Sequence, residues 1–181
     1  AIFSVTRRCG HAEDLRRWGQ LGLAGEWADR PLQLFGRNSV SGTYGYFKQT
    51  ALCSGDFKAS VNEQPGSASV VQAVGASLGG VGYSGLGFRT SGIRAVPLAR
   101  RSGAPYVAPR AEHAVDGSYP LSRYLYVYVN HRPDTPLPAL QREFLRLVLS
   151  ATGQRLVLRD GYVPLPAAVA AAELRTVGVQ P

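Results

Sequence analysis

A short apolar run that stops at a glycine and then enters a helical pattern constrains this chain most. Pro31-Leu32-Gln33-Leu34-Phe35-Gly36 reads as a compact strand. Ser41-Gly42-Thr43 then opens a pattern in which Tyr44, Phe47 and Ala51 fall on one helical face, predicting a helix over Thr43 to Leu52. The alternation continues. Asp56 to Val61 reads as extended, and Pro65-Gly66-Ser67 is turn chemistry. Ser67 or Ser69 is placed to cap a helix through Val70, Val71, Ala73 and Val74. Gly79 to Phe88 reads as a tight strand and turn, and Ile93 to Leu98 as a strand. Another extended piece surrounds Tyr106-Val107. Leu121 to Asn130, with Tyr124-Leu125-Tyr126-Val127-Tyr128-Val129 inside it, carries the strongest strand signal. In the tail, Pro138 suits a helical first turn, and Leu140, Phe144, Leu147 and Val148 form an amphipathic stripe read as core. A helix from Thr152 to Arg159 and a short Ala-rich helix follow. Strands alternating with helices imply an α/β architecture.

Composition excludes several classes. The 181 residues are 45% hydrophobic and 18% charged, which describes a folded globular chain. The longest apolar run, Pro164 to Ala172, is too short to span a bilayer, and no signal peptide is visible. Methionine is absent, so a processed form or a piece of a longer protein is expected. The net charge of +8 suits anions. Its arginines are scattered and no nucleic-acid-binding motif accompanies them, so nucleic acid is not an expected partner. Cys9 and Cys53 are too few for a structural zinc site, and the sequence leaves open whether they form one disulfide or remain thiols.

The candidate chemistry is anion capture. A helix start has unpaired N–H groups and a partial positive charge. Ser41 and Thr43 bring hydroxyls, Gly42 allows close backbone approach, and Arg37 brings a planar fork of donors matching two oxygens of a tetrahedral oxyanion. The bland reading is a capped helix with a surface arginine nearby. Gly80-Val81-Gly82-Tyr83-Ser84-Gly85 has the form G-x-G-x-x-G, but a helical pattern precedes it and none comes after it, so a dinucleotide site is rejected. His11, His113 and His131 have no metal-binding spacing, and neither Ser41 nor Ser84 lies in a G-x-S-x-G elbow. Neither a cofactor nor a metal is expected.

Several segments, in order, resemble the PstS-like family of type II solute-binding proteins, the periplasmic phosphate-binding proteins of bacterial ABC transporters. Ile2-Phe3 with Asp14-Leu15 and Trp18 looks like the family's "IF.G…W.DL" region, its usual glycine and lysine replaced. Gly36-Arg37 through Ser41-Gly42-Thr43 resembles the "GR…SGT" phosphate loop. Gln64-Pro65-Gly66-Ser67, Val70-Val71 and Gly82-Tyr83-Ser84-Gly85-Leu86-Gly87 resemble the next helix and strand of the family. Tyr119-Pro120-Leu121-Ser122-Arg123 with Tyr126-Val127-Tyr128 looks like the return strand "YPL.R.LY.YV". Phe144-Leu145 through Ser150, Gly153-Gln154 and Gly161 to Leu165 look like the terminal "FL..VLS..GQ…GYVPLP".

The resemblance implies a periplasmic, secreted or surface-exposed receptor that closes two lobes on inorganic phosphate, delivers it to an ABC transporter permease and does no covalent chemistry. Arg37, Ser41, Gly42 and Thr43 would hold the anion. The expected fold is an α/β lobe of the periplasmic-binding-protein type II kind, a mixed sheet flanked by helices, with a returning helical segment and an incomplete first lobe. Residues 1–30 would be a crossing segment from that first lobe, 31–123 the anion-binding second lobe, and 124–181 the return that packs on the first. Two departures stand out. Some members place an acidic residue between the arginine and the triplet to orient the arginine, where this chain has Asn38-Ser39-Val40. The family's N-terminal segment, which builds most of the first lobe, does not precede Ile2-Phe3 here. Without that lobe, the Leu140/Phe144/Leu147 stripe and the Tyr126/Tyr128 strand are expected to lack cover and to promote self-association. The rival reading is a truncated member acting as an interaction, adhesion or sensory module. A phosphatase on the same scaffold would need a base or metal near Ser41.

Overall fold

In the computed structural model, residues 1–132 and 135–180 are described, and the chain divides into two compact units, Ala1–Val96 and Pro97–Pro181. The expected boundary between 123 and 124 falls inside the second unit.

The first unit is built on three strands: β1 (Gln33–Arg37), β2 (Val61–Gln64) and β3 (Gly80–Gly82). Their order is β2-β1-β3, and both pairings are parallel. Helix α1 (Gly42–Ala51) joins β1 to β2, and α2 (Ser67–Ala76) joins β2 to β3. This is the expected α/β architecture. Antiparallel pairing in the described residues occurs only as isolated bridges, such as Ser4 with Phe57. Because β2 and β3 lie on opposite sides of β1, right-handed crossovers place α1 and α2 on opposite faces of the sheet. The packing agrees. Leu34 clusters with Phe3, Leu52 and Tyr83, with Phe47 of α1 against them. Gly82, opposite Phe35 in the register, faces α2. A Cβ there would meet Val74 Cγ2 at 2.8 Å and Val70 Cγ1 at 3.0 Å, so glycine lets the helix lie close to the strand.

The extended signal over Asp56 to Val61 resolves into two pieces. Residues near Phe57 pair with the N-terminal segment, where Val5 donates to the Asp56 carbonyl at 2.9 Å and Lys58 to that of Phe3 at 2.9 Å. The chain then enters β2. The N-terminal segment is therefore integral to this unit, its Phe3 7% exposed in the core. Cys9 and Cys53 are joined in a disulfide that fixes this segment to the end of α1. The Asp14 carboxylate adds a second tie, lying 2.6 Å from Lys58 Nζ and 2.6 Å from Arg16 Nε. Hydrogen bonds from Lys58 and Arg16 hold its pKa at about 2.

In the second unit, α3 (Ala111–Val115), α4 (Ala139–Leu149), α5 (Ala151–Arg159) and α6 (Ala167–Thr176) are the helices of the described residues. Pro138 is the N-cap of α4, one residue ahead of its expected place. Leu137, Leu145, Leu174 and Val179 form the core. The stripe read as core is not core here: Leu140 is 84% exposed, and Phe144 and Leu147 are also exposed. Leu145, about 100° around the helix from Phe144, makes the inward contact instead. The strongest strand signal also forms no ladder. Ile93 to Leu98 forms none either, apart from a bridge between Leu98 and Val107. A strand requires a neighbour at ladder distance, and the described residues offer none to Tyr124–Val129. That run remains extended enough for the Tyr124, Tyr126 and Tyr128 rings to succeed one another at 6.3 Å, as the two-residue period of extended chain dictates.

Two measurements check these ties. The disulfide closes a loop across a separation of 44 residues, for which chain entropy alone gives about 4 kcal/mol. Reduction is expected to lower the stability of the oxidised protein by about 2–4 kcal/mol in urea titrations, and Cys9→Ala/Cys53→Ala to reproduce the loss. For Asp14, the folded pKa lies below the ordinary 3.8, so its contribution is present above pH 4 and disappears as pH falls toward 2. Acid titration of Asp14→Asn is expected to lose the part of the stability slope between pH 4 and 2 that the parent shows.

Candidate functional site

A parallel sheet delivers the ends of its strands, and the starts of the helices that come after them, to one edge. Here β1 is central. Its last residue, Arg37, is in register with Gln64, the last residue of β2. The starts of α1 and α2 lie within a few residues of those strand ends. Tyr83, the residue after β3, arrives at the same edge and donates its hydroxyl to the Arg37 carbonyl at 3.2 Å.

Ser41 is the N-cap of α1, and Gly42 and Thr43 are its first two residues. The helix begins one residue earlier than expected. Ser41 Oγ accepts from the Thr43 N–H at 3.2 Å, so the capping reading of the triplet is correct as far as the helix is concerned. Ser41 is 9% exposed, Gly42 is exposed and Thr43 is half-buried. The turn between Arg37 and the triplet is closed by Ser41 N–H donating to the Asn38 carbonyl at 3.0 Å, and Asn38 N–H donates to that of Gln64 at 3.2 Å. Backbone bonds thus set the spacing of arginine and triplet.

The Arg37 side chain reaches toward α2. Nη1 donates to Ser67 Oγ at 3.1 Å and Nη2 to the Pro65 carbonyl at 3.2 Å. Nε is buried and has no hydrogen-bond partner among the described residues. The guanidinium lies within 4.0 Å of no described carboxylate. The expected Ser67 cap of α2 does not form. Gly66 is the N-cap, without a side-chain cap bond, and Ser67 is the first helical residue, its hydroxyl bonded to Arg37. Ser67, Pro65 and Tyr83 escape a sequence reading of the site because only the β1–β2 register and the β3 crossover bring them beside Arg37. The one local signal is that the interval 38–40, Asn-Ser-Val, offers the arginine no acidic partner. The G-x-G-x-x-G stretch lies in β3 and the turn after it, succeeded by a single 3-10 turn, Leu86–Phe88, with no helix at the position a dinucleotide site needs.

Tyr83 and Gly36 fix the backbone under Arg37. The Tyr83 ring stacks on Phe47 at 4.1 Å and 4°. Burial raises the phenol's pKa well above its ordinary value. Gly36 lies under the ring: a Cβ there would fall 2.5 Å from Tyr83 Cε1.

A family model described as "PBP superfamily domain" matches residues 1–152. The chain belongs to the PBP superfamily. It is 59% identical over 179 residues to the phosphate-binding protein PstS of Pseudomonas aeruginosa, covering 99% of this chain and 55% of that protein. It is 31% identical over 157 residues to the protein SphX of Synechocystis, covering 84% of this chain and 45% of that one. A crystal structure described as a possible phosphate binding protein, from Planctomyces limnophilus, superposes with a TM-score of 0.68 at 27% identity, covering 92% of this chain and 59% of that chain. The expected PstS-like resemblance therefore holds across nearly the whole chain, which spans about half the length of the curated relatives it matches.

The close approach of Gly36 and Tyr83 yields a stability test. Gly36→Ala is expected to displace the ring and destabilise the protein by about 1–3 kcal/mol. Tyr83→Phe is expected to cost about 1 kcal/mol, the net value of one hydrogen bond. Urea midpoints measure both, and a midpoint unchanged in Gly36→Ala would contradict the packing described.

Proposed function

We propose that this chain carries one half of a phosphate-binding cleft in the solute-binding component of an ABC phosphate importer. The observation that carries the reading is Arg37: a guanidinium at the end of the central parallel strand, held by neutral acceptors, with its buried Nε unpaired among the described residues. Next to it in the chain, the start of α1 offers helix N–H groups, the Ser41 and Thr43 hydroxyls and an exposed, side-chain-free Gly42. Phosphate lies at that helix start, contacted by Ser41, Gly42 and Thr43, with Arg37 as counter-charge. The names of the relatives support phosphate over other oxyanions. The protein binds and hands over its ligand to the membrane permease without covalent chemistry, and it works in the periplasm or at the cell surface. A disulfide suits such an oxidising compartment. No helix of the described residues is long and apolar enough to cross a membrane.

Titration calorimetry of the full-length protein with phosphate, sulfate and arsenate tests this. Phosphate is expected to bind, and Arg37→Ala to weaken it roughly 30-fold or more, the effect of removing one partner from a charge-assisted contact. An intact protein without phosphate affinity would sink the reading.

The same reading assigns residues 31–123 to the anion-binding lobe, 1–30 to the crossing, and 124–181 to the segment that packs on the first lobe. Exposure supports the last assignment: Tyr126, Tyr128, Leu140, Phe144 and Leu147 all present apolar surface. The 181-residue chain produced alone is expected to self-associate through this segment. Sedimentation checks it, and a stable monomer that unfolds in one cooperative step would count against it.

A further inference from the structure

We infer that Ser67 is a positioning residue for Arg37 in anion binding, doing with a neutral hydroxyl what an acidic residue in the Asn38-Ser39-Val40 interval would otherwise do. The inference rests on the phosphate-binding reading above and adds a residue and a device to it.

The geometry carries it. Arg37 and Gln64 are the paired ends of neighbouring strands, so the residues just after β2 arrive beside the arginine. Those residues are Pro65-Gly66-Ser67. Pro65 has a restricted backbone and presents its carbonyl to Nη2 at 3.2 Å, while Ser67 presents Oγ to Nη1 at 3.1 Å. Two acceptors on adjacent nitrogens fix the plane of a guanidinium, and neither carries charge. Ser67 is itself held, because Ser84 Oγ donates to its carbonyl at 2.9 Å. Tyr83 holds the other end of Arg37 through the backbone carbonyl. Residues 83 and 84, directly after β3, thus hold the Arg37 backbone directly and its side chain through Ser67. The sequence supplies no acid at 38–40, and no described carboxylate forms an ion pair with Arg37. Had a carboxylate oriented it, much of its charge would be compensated before any anion arrived. A serine and a carbonyl give orientation and leave the charge for the ligand.

The test uses the full-length protein. Calorimetry with inorganic phosphate is expected to show Ser67→Ala weakening binding about tenfold, in the range for one hydrogen bond to a charged group, and Ser67→Thr restoring affinity to within about twofold of the parent, since the hydroxyl is kept. In the Arg37→Ala background, Ser67→Ala is expected to change nothing further. Equal losses in both backgrounds would show that Ser67 acts by itself and would overturn the positioning role, as would an unaltered affinity in Ser67→Ala beside a weakened Arg37→Ala. A readout without ligand keeps the two readings separate. NMR of the Arg37 guanidinium is expected to show slow rotation about Nε–Cζ in the parent and fast rotation in Ser67→Ala, whether or not phosphate binds. Fast rotation in the parent would overturn the inference on its own, whereas a parent that holds the arginine but binds no phosphate would refute only the phosphate reading.

Discussion

The position of β1 between two parallel neighbours is the constraint on which the rest of the first unit depends. Each parallel pairing requires a crossover, and each crossover here is a helix whose start lies at the carboxyl edge of the sheet. Once β1 is central, Pro65, Ser67 and Tyr83 come together on Arg37 without further design. Burial offsets the cost of the arrangement far from the edge: Leu34 and Phe35 face opposite layers, each buried. The edge itself is free to carry polar groups.

A second consequence concerns the N-terminal segment. In this unit Phe3 packs edge-on against both Phe47 and Tyr83, at 5.3 and 5.7 Å. Tyr83 in turn fixes the Arg37 carbonyl. The first residues of the chain are therefore mechanically connected to the site through two aromatic rings, and the disulfide and Lys58 hold that connection in place.

Much of this is legible in the sequence where a signal is local. The β1-to-α1 transition, the Ser41 cap and the tail helices can be read from apolar spacing and capping chemistry within a dozen residues. Tyr124–Val129 misleads because β-propensity describes a fit to a neighbouring strand, and a sequence window carries no information about whether one is present. The α4 stripe misleads for a related reason: Leu140, Phe144, Leu147 and Leu145 cover two adjacent faces, and only the position of α6 decides which is inward. Ser67 looks like a cap because a serine before an apolar helix usually is one. Its actual partner lies 30 residues away, across a strand register that no local pattern encodes.

Holding Arg37 by uncharged acceptors also bears on how quickly a ligand arrives. A cation not neutralised by a neighbouring carboxylate projects its field beyond the protein surface, over roughly the Debye length of about 8 Å at physiological ionic strength. Under the proposed phosphate reading, an approaching oxyanion would meet that field before making any contact, so capture rate and its sensitivity to salt would depend in part on Arg37 being held by a serine rather than a carboxylate.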